Sequence, residues 1–397
     1  MINMNIQINK YFHDVKQSYL FSEIGARTRA FAAANPDKPI IRLGIGDVTL
    51  PLTKSVITAM EKAVAEMGKA ETFRGYPSEY GHDFLIEAIR KHYLPYGVEL
   101  DADEVFVSDG AKSDVGNIVD ILGDNTILIP DPVYPVYMDS NTMSGRKIEL
   151  IDATEENGFL PTPEVLDGSC YVIYLCSPNN PTGAVYNKDQ LKAWVDYALK
   201  SGSLIIFDSA YEAFVNGDEP RSIYEIEGAK ECAIEICSLS KTAGFTGTRC
   251  AWTIVPNALT AEDGTSLNKM WKRRQATKFN GVCYVVQRGA EAALSEQGMA
   301  ECRELIEYYM VNARRIAELL TKKGIWFTGG VSSPYIWLKC PNNMGSWEFF
   351  DYLLENAQVV GTPGEGFGKC GEGFFRLTSF GSHEATLEAI KRLDALL

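Results

Sequence analysis

Between about residue 100 and residue 255 the chain alternates short apolar runs with stretches long enough for a helix. The runs lie in "EVFVSDGAK", "TILIPDPVYP", "CYVIYLCSPNNPTG", "SLIIFDSAYEAF", "AIEICSLSK" and "CAWTIVP". They are continuous rather than alternating, so each reads as a strand buried on both faces, which predicts a mostly parallel sheet covered by helices. A helical stripe follows in "MAECRELIEYYMVNARRIAELL", where Cys302, Leu305, Ile306, Tyr309, Ala313, Ile316 and Leu320 recur at three- and four-residue steps. Beyond it, the strand-like "YIWLK" and "GFFRLTS" mix with the helix-like "SWEFFDYLLENA" and "HEATLEAIKRLDALL". This predicts a smaller α+β domain after the α/β one.

Composition narrows the possible chemistry. With 397 residues and 46% apolar content the chain can bury a large core. A formal charge of -14 argues against a broad nucleic-acid or anionic-membrane surface, so any anion site has to be local. Nine scattered cysteines without a C-x-x-C suggest neither a disulfide framework nor a zinc ribbon. His13, His82, His92 and His383 are dispersed, so no metal site is expected. The opening "MINMNIQINKYFHD" shows no basic segment followed by an apolar core, and no apolar run is long enough to span a bilayer. The expectation is a cytoplasmic protein.

Polar residues gather where the apolar runs end. "SDGAK", "DPVYP", "SPNNPTG", "DSAY" and "SLSK" each sit at the carboxyl end of a run, the edge where open parallel sheets bind ligands. Lys241, in "SLSKTAGFTGTR", would be a solvated strand-end residue if taken alone. Its company is unusual, because Ser238, Ser240, Gly244 and Arg249 together suit a phosphate ester. "SDGAKSD" offers a second anion element, with Gly110, Ala111 and Lys112 opening a helix. Asp208 follows "SLIIF" directly and reads either as a helix cap or as the partner of a cationic ring nitrogen, with Tyr211 one turn on. Asn180, before Pro181, has a restricted backbone and a side chain able to bond an oxygen. No G-x-S-x-G is present to support a serine-hydrolase reading.

Asn180, Asp208, Tyr211, Lys241 and Arg249, with Arg376 in "FFRLTS", resemble in order and spacing the fold-type I, aspartate-aminotransferase-like class I/II family of pyridoxal-phosphate enzymes. "SYLF", "IGD", "RGY", "SDGAKSD", "DPVYPVY", "CSPNNPTG" and "KFNG" are similar to strings in those members that act on LL-diaminopimelate. The resemblance implies the α/β fold of that family, a large domain with a mostly parallel mixed sheet and a smaller α+β domain. The expected division is an N-terminal arm with part of the small domain over 1–45, a large cofactor-binding domain over 46–295 and a small domain over 296–397.

It also implies roles. Lys241 would bond to the aldehyde of pyridoxal 5'-phosphate and then move a proton. Asp208 would keep the cofactor ring protonated, and Asn180 and Tyr211 would bond its phenolic oxygen. Ala111, Lys112, Ser238 and Arg249 would hold the phosphate, and Tyr134 would stack on the ring. Arg376 would clamp the substrate α-carboxylate beside the Gly46 backbone, and Asn180, Tyr134 and Lys112 would also touch substrate. Glu79 would take a distal ammonium, with Tyr19, Tyr76 and Asn280 near the substrate. Tyr76, which also reaches the cofactor, and Asn280 would act on a neighbouring subunit's site, implying a homodimer. Pro77 and Ser78 in "RGYPSEYG", and Thr242 and Ala243 after the lysine, depart from the commoner residues. The expected substrates are small amino and 2-oxo acids: LL-diaminopimelate with 2-oxoglutarate, with aspartate or aromatic amino acids as the alternative donors.

Overall fold

The structure, a computed structural model, describes residues 5–15, 20–44 and 46–397. All six apolar runs form strands, and a seventh, Ile148–Asp152, completes their sheet. In space the order is Val105–Ser108, Ala251–Ile254, Ala233–Ser238, Leu204–Asp208, Val172–Cys176, Ile127–Asp131, Ile148–Asp152. Every neighbouring pair is parallel except the two made by Ala251–Ile254. Successive side chains go to opposite cores: Ile173, Leu175, Ile205 and Phe207 to one, Val172, Tyr174 and Ile206 to the other. A sheet covered on both faces requires this, and it explains why these strands carry no polar alternation. Ile148–Asp152 lies at the sheet edge with Leu150 44% exposed, so it never needed an unbroken apolar run.

The C-terminal part builds a four-stranded antiparallel sheet in the order Thr362–Pro363, Phe374–Thr378, Tyr335–Lys339, Phe327–Gly329. Ser346–Ala357 and His383–Leu396 supply helices to its core. That core also takes in Leu43, because Ile41–Arg42 pairs in parallel with Val359–Val360. The 27-residue helix Glu296–Lys322 joins the two parts. Ser295 caps its first turn through Gly298 N at 3.0 Å. Cys302 packs in the large-sheet core, whereas Ile306, Tyr309, Ala313, Ile316 and Leu320 pack in the C-terminal one. Among the described residues no helix is long and apolar enough to cross a membrane.

This topology fixes where chemistry can sit. Cys176 lies opposite Asp208, and Ser108 and Ser238 both lie opposite Ala251, so the polar loops leave one rim of the large sheet side by side. Gly44 accepts from Arg376 of the C-terminal sheet and Gly46 from Lys241 at the rim, so this segment brings the two together.

Candidate active site

A cleft of about 590 Å³ opens between the rim and the C-terminal sheet. Lys241 enters it from a single helical turn, Leu239–Thr242, that begins as its strand ends. Ser238 starts the turn: its Oγ accepts from Ser240 N at 3.1 Å and donates to Ser240 Oγ at 3.0 Å. Lys241 Nζ donates to the carbonyl of Gly46 at 2.5 Å. Burial pushes this amine down to about 8; Asp47 opposes the shift, while Arg376 and Arg249 add to it.

Asp208 ends its strand buried, with both carboxylate oxygens engaged. Tyr137 Oη donates to Oδ2 at 2.6 Å and Ala210 N to Oδ1 at 3.0 Å. Burial raises the acid above its ordinary range, and these two hydrogen bonds pull it back. Tyr137 stacks on Tyr174 with centroids 5.2 Å apart, and its ring lies edge-on to Tyr134. Across the cleft, Tyr211 and Tyr335 share a hydroxyl hydrogen bond of 2.5 Å.

Arg376, 1% exposed, is the most deeply buried cation of the cleft. Its Nη1 donates to Asn180 Oδ1 at 2.7 Å and its Nη2 to the Gly44 carbonyl at 2.8 Å and Thr362 Oγ1 at 3.3 Å. The guanidinium lies 4.6 Å from the Tyr335 ring centroid and 4.8 Å from that of Phe367. Asn180, Gly44 and Thr362 fix the plane of a buried fork whose shape matches a carboxylate.

Arg249 reaches the other end. Its φ of 66° is rare for a branched-off side chain, and Nη1 is steadied by the Thr246 carbonyl at 3.0 Å. Gly110 makes room for it, because a Cβ there would collide with Arg249 Nη2. At φ 147° a side chain would also strain the backbone just where the helix Ala111–Asn117 begins. A cationic fork therefore sits against a glycine, two serines and the first N–H groups of a helix, as an anion requires.

The profile of the family described as "Aminotransferase class I and II" matches residues 38–393. The chain belongs to that family. Two of the relatives of this aminotransferase are enzymes named LL-diaminopimelate aminotransferase. The one from Agathobacter rectalis is 53% identical over 407 residues, covering 98% of this chain and 100% of the relative. The one from Bacteroides thetaiotaomicron is 51% identical over 405 residues, covering 97% and 98%. Among solved structures, the L,L-diaminopimelate aminotransferase from Chlamydomonas reinhardtii superposes with a TM-score of 0.94 at 40% identity, covering 99% of this chain and 100% of that one.

Of the residues the sequence singled out, the aminotransferase cleft gathers Gly46, Ala111, Lys112, Tyr134, Asn180, Asp208, Tyr211, Ser238, Lys241, Arg249 and Arg376. Tyr19 lies outside the described residues. Tyr76, Glu79 and Asn280 do not line this chain's cleft. Tyr76 is 89% exposed and Asn280 is exposed. Burial and the neighbouring Glu79 carboxylate push the Tyr80 hydroxyl above its ordinary range. The "RGYPSEYG" loop packs on the "KFNG" turn so closely that a Cβ on Gly281 would collide with the Ser78 carbonyl. The two loops that carry these three residues thus touch one another, and none of the three enters the chain's own cleft.

Sequence reasoning missed Tyr137, Tyr335, Asp47, Gly44 and Thr362. Tyr137 could have been found, since it stands one helical turn after Tyr134 in "DPVYPVY". Tyr335 could not, because an aromatic opening "YIWLK" reads as core until the other module's Tyr211 meets it.

Proposed function

We propose that this aminotransferase moves an amino group between LL-diaminopimelate and 2-oxoglutarate, using pyridoxal 5'-phosphate held in the cleft, as a homodimer. The convergence of a lysine amine lowered to about 8, a buried carboxylate and a buried arginine on one cleft carries the reading of the chemistry. The substrate is taken from relatives of that name that match nearly the whole chain at 51–53% identity.

The residues present fit the cofactor. Arg249, Ser238, Ser240 and the helix start at Ala111 and Lys112 would hold its phosphate, in a cradle that a Cβ at Gly110 would fill. Asp208 would face its ring nitrogen, Asn180 and Tyr211 its phenolic oxygen, and Tyr134 would give the ring an aromatic wall. Bound there, the cofactor supplies an electrophilic carbonyl and an electron-accepting ring.

The chain's own groups do the rest. Arg376 binds the substrate α-carboxylate through its fork, and Asn180 and Gly44 fix the angle of that fork. Lys241 Nζ, neutral for an appreciable fraction of the time near pH 8, takes the proton from the substrate α-carbon and returns it on the other side of the exchange. Tyr335 and Phe367 exclude water from the guanidinium. Tyr76, Glu79 and Asn280 lie outside this chain's cleft and would complete a second chain's. Glu79 there would meet the distal ammonium that distinguishes diaminopimelate from shorter diacids.

Turnover of LL-diaminopimelate with 2-oxoglutarate tests this reading, with a Glu79→Gln variant beside the parent. Loss of one charge-assisted hydrogen bond should lower kcat/KM on diaminopimelate by about 10- to 100-fold, with the cofactor absorbance unchanged. Brisk turnover of aspartate without any of diaminopimelate would overturn the substrate. The cradle gives a second expectation: Gly110→Ala should displace Arg249 and weaken cofactor binding by about 10-fold or more, measured by titration of the stripped protein. An unchanged dissociation constant would remove Arg249 from the phosphate site.

A further inference from the structure

The turn that follows Tyr211 belongs to both cores of the molecule. Tyr211 and Phe214 pack in the C-terminal core, Phe214 edge-on to Phe380 at 6.2 Å. Glu212, which follows Tyr211 in the chain, makes its contacts elsewhere. It is 4% exposed, and its Oε1 pairs with His92 Nε2 at 3.3 Å. His92 stands on the helix Asp83–Tyr93, whose Leu85, Ile86, Ile89 and Tyr93 belong to the large-sheet core. Its ring lies edge-on to Tyr96 and Trp252, and the two side chains of the pair are closed off from water. Arg221 completes the clamp. Its guanidinium lies 3.6 Å from Glu212 Oε2 and donates to the carbonyls of Glu212 at 3.0 Å and Val215 at 2.6 Å. Tyr96, Glu235 and Cys237 are further titratable groups that feel the Glu212 charge.

A buried ion pair is a weak source of stability, because desolvating both charges offsets their attraction, but it admits a narrow range of geometries. What it fixes here is the backbone of Tyr211. Glu212–Phe214 is a single 3-10 turn, closed by Phe214 N on the Tyr211 carbonyl at 3.0 Å, and one such turn holds itself weakly. The Tyr211 hydroxyl meanwhile is engaged by Tyr335 of the C-terminal sheet at 2.5 Å. Held there alone, the phenol would follow that sheet. Glu212 ties it instead to the large-sheet core, on whose rim Asp208 and Lys241 stand.

We propose that Glu212 is a positioning residue: anchored on His92 and Arg221, it holds the Tyr211 hydroxyl in register with the large-sheet side of the cleft. The proposal rests on the function above only in taking Tyr211 as the partner of the cofactor's phenolic oxygen.

The test compares the cofactor-loaded parent with Glu212→Gln, Glu212→Ala, Tyr211→Phe and the Tyr211→Phe, Glu212→Ala double variant. One readout is the pH at which the cofactor's absorbance bands interchange, which a change at the phenolic oxygen moves. The other is the rate constant with which glutamate, the partner common to both candidate donors, discharges that absorbance. Tyr211→Phe should move the interchange pH and slow the rate by about tenfold, as one lost hydrogen bond does. Glu212→Ala should move the pH in the same direction and slow the rate by about 3- to 10-fold. Glu212→Gln should do less, since its amide oxygen can still meet the His92 ring nitrogen, and being isosteric it reads the same interchange pH should the alanine variant not fold. In the Tyr211→Phe background, Glu212→Ala should add less than about twofold, because the two changes act on one contact. Equal losses in both backgrounds, or Glu212 variants with the parental interchange pH beside a shifted Tyr211→Phe, would overturn the proposal. A Tyr211→Phe protein with the parental interchange pH would instead sink the cofactor contact assigned to Tyr211 and the premise of the proposal with it.

Discussion

Lys241→Ala is expected to stop amino-group exchange, lowering kcat by about 10⁴-fold or more, while the variant still folds. Lys241 Nζ is anchored on the Gly46 carbonyl, and Lys112, on the first turn of the helix Ala111–Asn117, does not replace it. The pH dependence tells the two roles of the amine apart. Burial brings the amine from its ordinary 10.5 down to about 8. Uptake of pyridoxal phosphate by the stripped parent, which needs the neutral amine, should therefore quicken as pH rises through about 8 and then level off. A rate still climbing toward 10.5 would show that the cleft does not depress it. Stability carries the same sign. Between about 8 and 10.5 the unfolded chain binds more protons at this lysine than the folded one, so this group makes the fold more stable as pH rises through that window. Below about 8 the buried ammonium costs the fold, and Lys241→Ala removes that cost. The stripped variant should melt no lower than the parent at pH 7, with its advantage fading as pH is raised. A variant with parental turnover, or one that gains nothing near pH 7, would contradict the environment described for this amine.

Much of this site could be read in the sequence, for a physical reason. In a parallel sheet the strands that supply the core also deliver their last residues to one rim, so Asp208 after "SLIIF" and Lys241 after "AIEICSLS" declare their place locally. What a residue meets across the cleft is not local. Arg376 sits mid-strand in "FFRLTS", where an arginine alone looks like an error of burial. Its burial is made tolerable by acceptors far away in the chain, Asn180 and Gly44 at 196 and 332 residues' distance among them. Tyr335 was hidden for the same reason, its partner Tyr211 lying far away in the chain. Ile148–Asp152 escaped because an edge strand needs only partial burial, and its "KIELID" interleaves charged with apolar residues.

Asp208→Asn should lower kcat by about 10²–10⁴-fold and leave the apo fold intact. The asparagine keeps the shape but not the charge. Its carbonyl can still accept from one of the two donors that now serve Asp208, Tyr137 Oη at 2.6 Å and Ala210 N at 3.0 Å, but its amide cannot stand in for the second acceptor facing a backbone N–H. Without a cation opposite, the parent's carboxylate is held above its ordinary 3.8 by burial. The folded state then binds more protons than the unfolded one between 3.8 and that raised value, so this group's contribution falls as pH rises through the window. At pH 7 the stripped parent carries that burden and the asparagine variant does not, so the variant should melt at least as high. Cofactor reverses the balance. A cationic ring nitrogen held there would pair with the parent's carboxylate, and a buried ionic partner lost costs about 3–5 kcal/mol, which at about 1.4 kcal/mol per factor of ten sets the kinetic range given. The rise in Tm on adding cofactor should therefore be smaller in the variant, because ligand stabilisation follows affinity. Equal Tm gains with parental turnover would mean that Asp208 serves packing alone, and that the electron-accepting state of the site is maintained by some group other than this acid.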